Sequence, residues 1–334
     1  MVALKLLKIM KSLLKSKKNV IPDQTVKSNS QNGSDAETLA ASLMVSACRG
    51  EVCWGTREED NSKIDLILST EHPWYSKERM IVLIQVKSGA TYGQRMPQGF
   101  NLTSAAIKAA KRTSHDICVI WLCRETNEAF WSYVHPDSRI STRTYGSYHR
   151  VSPATLYDLA RCMSKATTNA FGGTGVIIRR KEGNYSNQRK LVHTGYKNIG
   201  EVFSPALGNI EFTRLGWRHM FRANRAAKYK QFSLDLIPYL DKIITQPSTD
   251  HAITSNKEWA SGNFIYRSTE HLLKYEKVRC SAKQKMGIQP ITVIIKAIEE
   301  IRYPKCWQAS AMLSQHIDRR VVLKSAYYKL KDES

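Results

Sequence analysis

The chain has 334 residues, 42% of them hydrophobic, which is material for two domains with real cores and excludes a fibrous or disordered class. Its formal net charge is +22 with a pI near 9.7, and about +15 of that excess follows residue 150, so an anionic partner, nucleic acid above all, is expected for the C-terminal half. The seven cysteines contain no Cys-x-x-Cys and are odd in number, which argues against a zinc site or a disulfide framework; with no apolar run of the ~18 residues a span needs, the expectation is a cytoplasmic protein with no transmembrane segment.

Residues 1–18 form a basic amphipathic helical pattern, with Ala3, Leu6, Leu7, Met10, Leu13 and Leu14 on one face and Lys5, Lys8, Lys11 and Lys15 elsewhere. Lysines interrupt every apolar run, against the pattern of a cleaved signal peptide. Such a helix can dock on the body, pair two copies into a homodimer, or lie on an anionic surface. Residues 19–33 read as a flexible linker. Ser34 and Glu37 then form a capping-box pattern, and the helix behind it buries Ala36, Leu39, Ala40, Leu43, Met44 and Ala47 before stopping near Gly50. Residues 51–55 read as a first strand and 56–62 as a polar loop. Two short apolar runs follow, at 64–68 and 80–87, which predict buried strands joined as a hairpin.

Those two runs contain three polar residues that a buried sheet does not ordinarily hold: Asp65, Gln85 and Lys87. Strand alternation places Gln85 and Lys87 on one face and Val86 on the other. A buried lysine is costly unless it is paired or its pKa falls, and a carboxylate on the neighbouring strand would pair with it. A carboxylate and an amide carbonyl are also hard oxygen ligands suited to Mg²⁺, beside which a lysine can orient or deprotonate water. Further on, residues 101–112 predict a helix with Lys108, Lys111 and Arg112 near its open side, where they could hold phosphates or simply be solvated. A buried strand at 117–123, a turn at 125–128, a partner strand at 129–134 and a helix at 153–165 complete the first domain. The glycines at 172, 173 and 175 lack the Lys-Ser/Thr of a phosphate-binding loop and read as a domain boundary.

An Asp, then a strand carrying Gln85-Val86-Lys87 and followed by Ser88, Gly89 and the aromatic Tyr92, resembles the PD-(D/E)xK superfamily of restriction-endonuclease-like nucleases, most of all its Mrr-type branch. The order helix, three strands, helix, strand over residues 34–136 matches the α-β-β-β-α-β core of that α/β fold. The resemblance implies Mg²⁺ (or Mn²⁺) held by Asp65 and Gln85, Lys87 serving the attacking water, and Glu37 facing the metal rather than merely capping its helix. It implies hydrolysis of phosphodiester bonds, in DNA rather than RNA, and by analogy a place in restriction or in defence against mobile DNA. Two other readings stay open: a buried Asp65–Lys87 salt bridge, and a nucleic-acid-binding protein with an inactive nuclease fold, since Gln is a weaker ligand than a carboxylate. On this reading residues 1–33 are helix and linker, 34–170 the nuclease-like domain and 171–334 a basic α+β domain.

In that last domain, residues 208–229 read as a strand-like start and then a basic helix burying Trp217, Met220 and Phe221. Arg218, Arg222 and Arg225 recur along it as a cationic stripe for nucleic acid, with His219 beside Arg222. A second helix at 233–245 should bend or break at Pro238. Strand-like runs at 264–267, 272–279, 291–296 and 320–329 make a meander. A His/Arg helix followed by a last strand bearing Ser325 and Tyr327 on one face faintly resembles the barnase–EndoU–colicin–RelE ribonucleases, which implies a second, metal-independent site of His219, Arg222 or Arg225, Ser325 and Tyr327. The simpler reading is a basic module that feeds nucleic acid to the first domain.

Overall fold

The computed structural model describes residues 29–55, 64–136, 143–167, 175–179, 184–281, 288–309 and 317–330. The expected N-terminal basic helix (1–18) and the loop at 56–62 lie outside the described residues. The fold is mixed α/β, built on two main sheets and a small third one.

The first sheet has the order β1 (Glu51–Trp54), β2 (Leu66–Glu71), β3 (Arg79–Ser88), β6 (Ile117–Leu122), β7 (Ala129–Val134). Neighbours are antiparallel except β3 and β6, which run parallel. A parallel pair needs a crossover, and residues 89–116 supply it with a hairpin, β4 (Gly93–Met96) and β5 (Gly99–Leu102), and a short helix α2 (Ser104–Ala110). All six residues of β6 are buried, because both faces of the sheet are covered. On one face, α1 (Asn29–Cys48) and α3 (Thr155–Thr167) set Ala40, Met44, Leu159 and Ala160 against Val82, Ile84 and Val86. On the other, Phe100, Ala106 and Ala110 pack on Val119, Trp121 and Phe130.

Three expectations change in this half. Helix α1 already runs from Asn29, so Ser34 is an interior residue and not the N-cap, and residues 29–33 are helical rather than linker. The helix expected over 101–112 is only Ser104–Ala110, capped by the Thr103 side chain. Residues 101–102 belong instead to β5, which with β4 and β8 (Thr144–Gly146) forms the small sheet. Gly99 makes that sheet close: its φ is +141°, and a Cβ there would lie 1.8 Å from the Tyr145 carbonyl oxygen.

The second sheet has the order β10 (Glu201–Ser204), β11 (Gly208–Glu211), β15 (Asp318–Leu330), β14 (Ile288–Pro304), β13 (Phe264–Ser281), β12 (Asp250–Ser261), with β9 (Ile177–Arg179) also on β13. The separate runs at 264–267 and 272–279 prove to be one 18-residue strand. Helices α4 (Tyr185–Ile199), α5 (Arg214–Met220), α6 (Ala227–Leu236) and α7 (Leu240–Ile244) cover one face, over Leu273, Val293, Ile295, Leu323 and Tyr328. The break at Pro238 is present as a 3₁₀ turn. The far ends of the same strands enter the first core, where Ile301, Tyr303 and Trp307 pack with residues of α1 and α3.

Between the two cores lies a buried ionic network. Asp158 of α3 accepts two hydrogen bonds from Arg267 at 2.7 Å each and one from Tyr148 at 2.7 Å, and it pairs with Arg161. Glu299 accepts from Arg161 at 2.9 Å and Arg319 at 2.7 Å, and lies 3.3 Å from His271. Burial would raise the Glu299 carboxyl, but the Arg161 and Arg319 guanidiniums, with the hydrogen bond from His271, hold it well below the usual range. Trp74, in the β2–β3 loop, adds a second tie by donating its indole N–H to the Pro205 carbonyl at 3.1 Å under the Arg319 guanidinium.

Candidate functional site

Asp65 stands just before β2, pinned through its backbone from both sides. Its N–H donates to the Ile84 carbonyl at 2.9 Å, and its carbonyl accepts from Gly55 at 3.0 Å. That register sets the carboxylate beside β3, where Oδ2 accepts the Val86 N–H at 2.6 Å. Gln85 and Lys87 alternate with Val86, so they share the sheet face of Val119 and Trp121, their partners on β6. Gln85 is fully buried. The Lys87 ammonium lies 3.7 Å from Asp65 Oδ2, donates to the Val86 carbonyl at 2.9 Å, and sits 5.6 Å from the Tyr92 ring centroid. Its side chain keeps 15% of its exposure and that of Asp65 9%, so the pair lies at the edge of solvent rather than sealed in the core.

The turn after Lys87 holds this arrangement. Gly89 has φ +76°, and its carbonyl accepts from the Trp121 indole at 3.1 Å and from the Tyr92 N–H at 3.3 Å. Gly93 lets the chain pass the same indole, where a Cβ would come within 2.6 Å. Arg124, in the turn two residues after β6, donates to Ser88 Oγ at 2.9 Å and brings a cation beside the site. Sequence reasoning noted Tyr92 only as an aromatic after the motif. It missed Trp121 and Arg124, which follow Gln85 and Lys87 by more than thirty residues and are joined to them only by strand pairing.

The donor set is a carboxylate and a carboxamide, both hard oxygens. It fits Mg²⁺, which ordinarily takes one or two carboxylates and leaves its remaining positions to water and substrate phosphate. Among the described residues no three His, Cys, Asp or Glu side chains form a metal-holding group. Glu37 is half-buried on α1, the helix that packs on the opposite face of the sheet from Gln85 and Lys87. Lys108 on α2, exposed, and Lys111 at its C-cap, half-buried, follow the opposite geometry: α2 covers the same face as Lys87.

In the second half the basic stripe is not one helix. Helix α5 ends at Met220, and Arg222 and Arg225 lie in the turn before α6, so the helical spacing of Arg218, Arg222 and Arg225 does not apply. Arg225 instead folds back, donating to the Met220 carbonyl at 3.3 Å with its guanidinium 5.4 Å from the Tyr327 ring centroid. Trp217, Met220 and Phe221 are buried as expected. Ser325 is 4% exposed and pairs with Lys296 on β14, and Tyr327 shares its face. His219 is half-buried, its Nδ1 without a hydrogen-bond partner among the described residues. Burial first, then Arg222, Lys324 and Arg225, push its pKa down, which keeps the imidazole neutral at pH 7.

Comparisons with protein-family models, with curated proteins and with solved structures find no match for this chain.

Proposed function

We propose that this protein is a metal-dependent nuclease that hydrolyses phosphodiester bonds, in DNA, at Asp65, Gln85 and Lys87. The observation that carries the reading is the carboxylate of Asp65 set 3.7 Å from the Lys87 ammonium across two strands, with Gln85 on the same face. The motif Asp65, Gln85-Val86-Lys87 and its resemblance to PD-(D/E)xK nucleases support it. So does the element order α1, β1, β2, β3, α2, β6, to which, among the described residues, β4 and β5 are added.

Asp65 and Gln85 would hold Mg²⁺, which when bound supplies positive charge for the phosphate and a more acidic water. Lys87 has its ammonium fixed by the Val86 carbonyl and the Tyr92 ring, so its remaining N–H points a water rather than wandering. As the water oxygen attacks phosphorus it gives up a proton to solvent, the bond from phosphorus to the leaving sugar oxygen breaks, that oxygen takes a proton from solvent, and Lys87 stabilises the negative charge that accumulates between them. Arg124 stands close enough, on Ser88, to hold a neighbouring phosphate of the strand.

The test is cleavage of supercoiled plasmid, linear duplex and RNA by the full chain, with Mg²⁺ and with EDTA, beside Lys87→Ala. Mg²⁺-dependent cutting of DNA that Lys87→Ala loses is the expected result. A second reading is favoured by the bond between Asp65 Oδ2 and the Val86 N–H, which engages the carboxylate within the fold. On that reading Asp65 and Lys87 are a structural pair and the protein binds nucleic acid without cutting it. Absence of cleavage under every condition, with DNA binding retained, would establish the second reading and sink the first.

A further inference from the structure

A second feature is independent of the Asp65 site. Arg214, Arg218 and His219 of α5, Arg222 of the turn after it, and Arg189 of α4 line one open groove. All four arginines are exposed, and no carboxylate is among the described residues that line it. The contrast within this chain is sharp. Arg95, Arg161, Arg267, Arg302, Arg319 and Arg320 each pair with an Asp or Glu. Those arginines serve the fold. Four guanidiniums gathered without a counter-charge repel one another, which costs stability that a fold has no need to give up.

The floor decides what the groove can read. Trp217 and Phe221 are each only 8% exposed, and the imidazole of His193 lies 4.4 Å from the Trp217 ring, so neither aromatic face is open to a base. Phe221 instead supports Arg189, whose guanidinium lies 5.6 Å from its ring centroid. The groove therefore offers fork-shaped donors on a rigid base and no stacking platform. Exposed forks without a stacking platform suit the phosphates of a duplex rather than unpaired, splayed-out bases.

From these observations we infer that this groove binds the phosphodiester backbone of DNA without regard to sequence, as a docking track separate from the Asp65 site. Four phosphate contacts give a salt slope near −3.6, so affinity through them falls about a hundredfold between 50 and 200 mM salt.

The test is binding of a fluorescent 30-base-pair duplex by the full chain in EDTA, titrated with salt, so that cleavage plays no part. The groove variant combines Arg189→Gln, Arg214→Gln, Arg218→Gln and Arg222→Gln. A control removes the same charge from exposed lysines elsewhere, by Lys77→Gln, Lys242→Gln, Lys257→Gln and Lys305→Gln. The eight positions are surface residues, and circular dichroism melts of both variants check the fold; Arg218→Gln with Arg222→Gln alone serves if the full set melts early. Expected are a loss of tenfold or more in affinity at 100 mM salt, a slope flattened by about three to four for the groove variant, and two duplexes of unrelated sequence bound alike. The inference is overturned if the control loses as much as the groove variant, if the slope is unchanged, or if vesicles of anionic lipid compete as well as DNA of equal charge. Because no metal is present, failure here leaves the Asp65 reading standing, and failure of cleavage leaves the groove standing.

Discussion

Replacing Glu299 with Gln tests the account of how the two cores are joined. Glu299 is fully buried, 2.7 Å from Arg319, 2.9 Å from Arg161, 3.3 Å from His271 and 4.0 Å from the second nitrogen of Arg267. With Asp158 it balances three guanidiniums by two carboxylates. Gln keeps the volume and one acceptor oxygen, but it removes half of the negative charge and turns an N–H₂ toward guanidinium donors. Removing one partner of a buried pair costs about 3–5 kcal/mol, because the remaining charges stay buried without compensation. With an unfolding entropy of ~2.1 cal/mol/K per residue, a chain of 334 residues loses about 6 °C of Tm for 4 kcal/mol if it unfolds as one unit. If only the second half melted first, the same loss would move that transition about twice as far. Calorimetry on wild type and Glu299→Gln reads both numbers. Glu300→Gln is the control: it is the exposed neighbour on the other face of the strand, expected within ~0.5 kcal/mol of wild type. A Glu299→Gln melt within 1–2 °C of wild type would refute the claim that this network holds the halves together.

The remaining predictions concern the site and pH. Asp65→Ala should abolish Mg²⁺-dependent cleavage, since it removes the strand carboxylate and strips Lys87 of its counter-charge; cutting at the wild-type rate would dismiss the metal reading. Glu37→Gln should leave cleavage rate and Tm nearly unchanged, because α1 packs on the sheet face opposite Gln85 and Lys87; a tenfold loss of rate at an unchanged Tm would put that carboxylate at the metal instead. His149, wedged against Trp131 and accepted by its carbonyl at 3.0 Å, has its pKa pushed down to about 4 mainly by burial. Its folded pKa lies below its unfolded value near 6.5, so the unfolded chain binds the proton first and stability is lost as pH falls below about 6.5. Between pH 7.5 and 5.5 this one group should cost about 1.3 kcal/mol in urea unfolding, and His149→Gln should flatten that slope; an unchanged slope would place the pH dependence elsewhere.

Much of the first half is legible in the sequence. The strands at β2, β3, β6 and β7 announce themselves by short apolar runs, and alternation alone puts Gln85 and Lys87 on one face. The helix starts were less legible. A Ser-x-x-Glu pattern looks like a cap wherever it occurs, but here the preceding residues also take helical geometry, so Ser34 lies inside. The hairpin of β4 and β5 carries Gly, Gln, Arg, Asn and Pro rather than β-branched residues, and it is a strand pair because of the partners it meets. The stripe of Arg218, Arg222 and Arg225 looked helical because three and four are helix spacings; the chain turns after Met220, and only the packing of Arg225 on Tyr327 shows where that third charge goes.

The sequence by itself determined the local matters: which segments are buried strands, that Asp65, Gln85 and Lys87 are polar residues in apolar company, and that the basic charge gathers in the second half. These depend on side-chain period and composition, which are properties of neighbours along the chain. Tertiary structure decided the rest: that Trp121 and Arg124 complete the surroundings of Lys87, that Arg189 joins Arg214, Arg218 and Arg222 in one groove, and that Glu299 and Asp158, 141 residues apart, share three guanidiniums. The physical reason is that the energy of a buried charge is set by the groups that surround it in space, and a sheet whose strands come from distant parts of the chain brings together groups that no window of sequence contains.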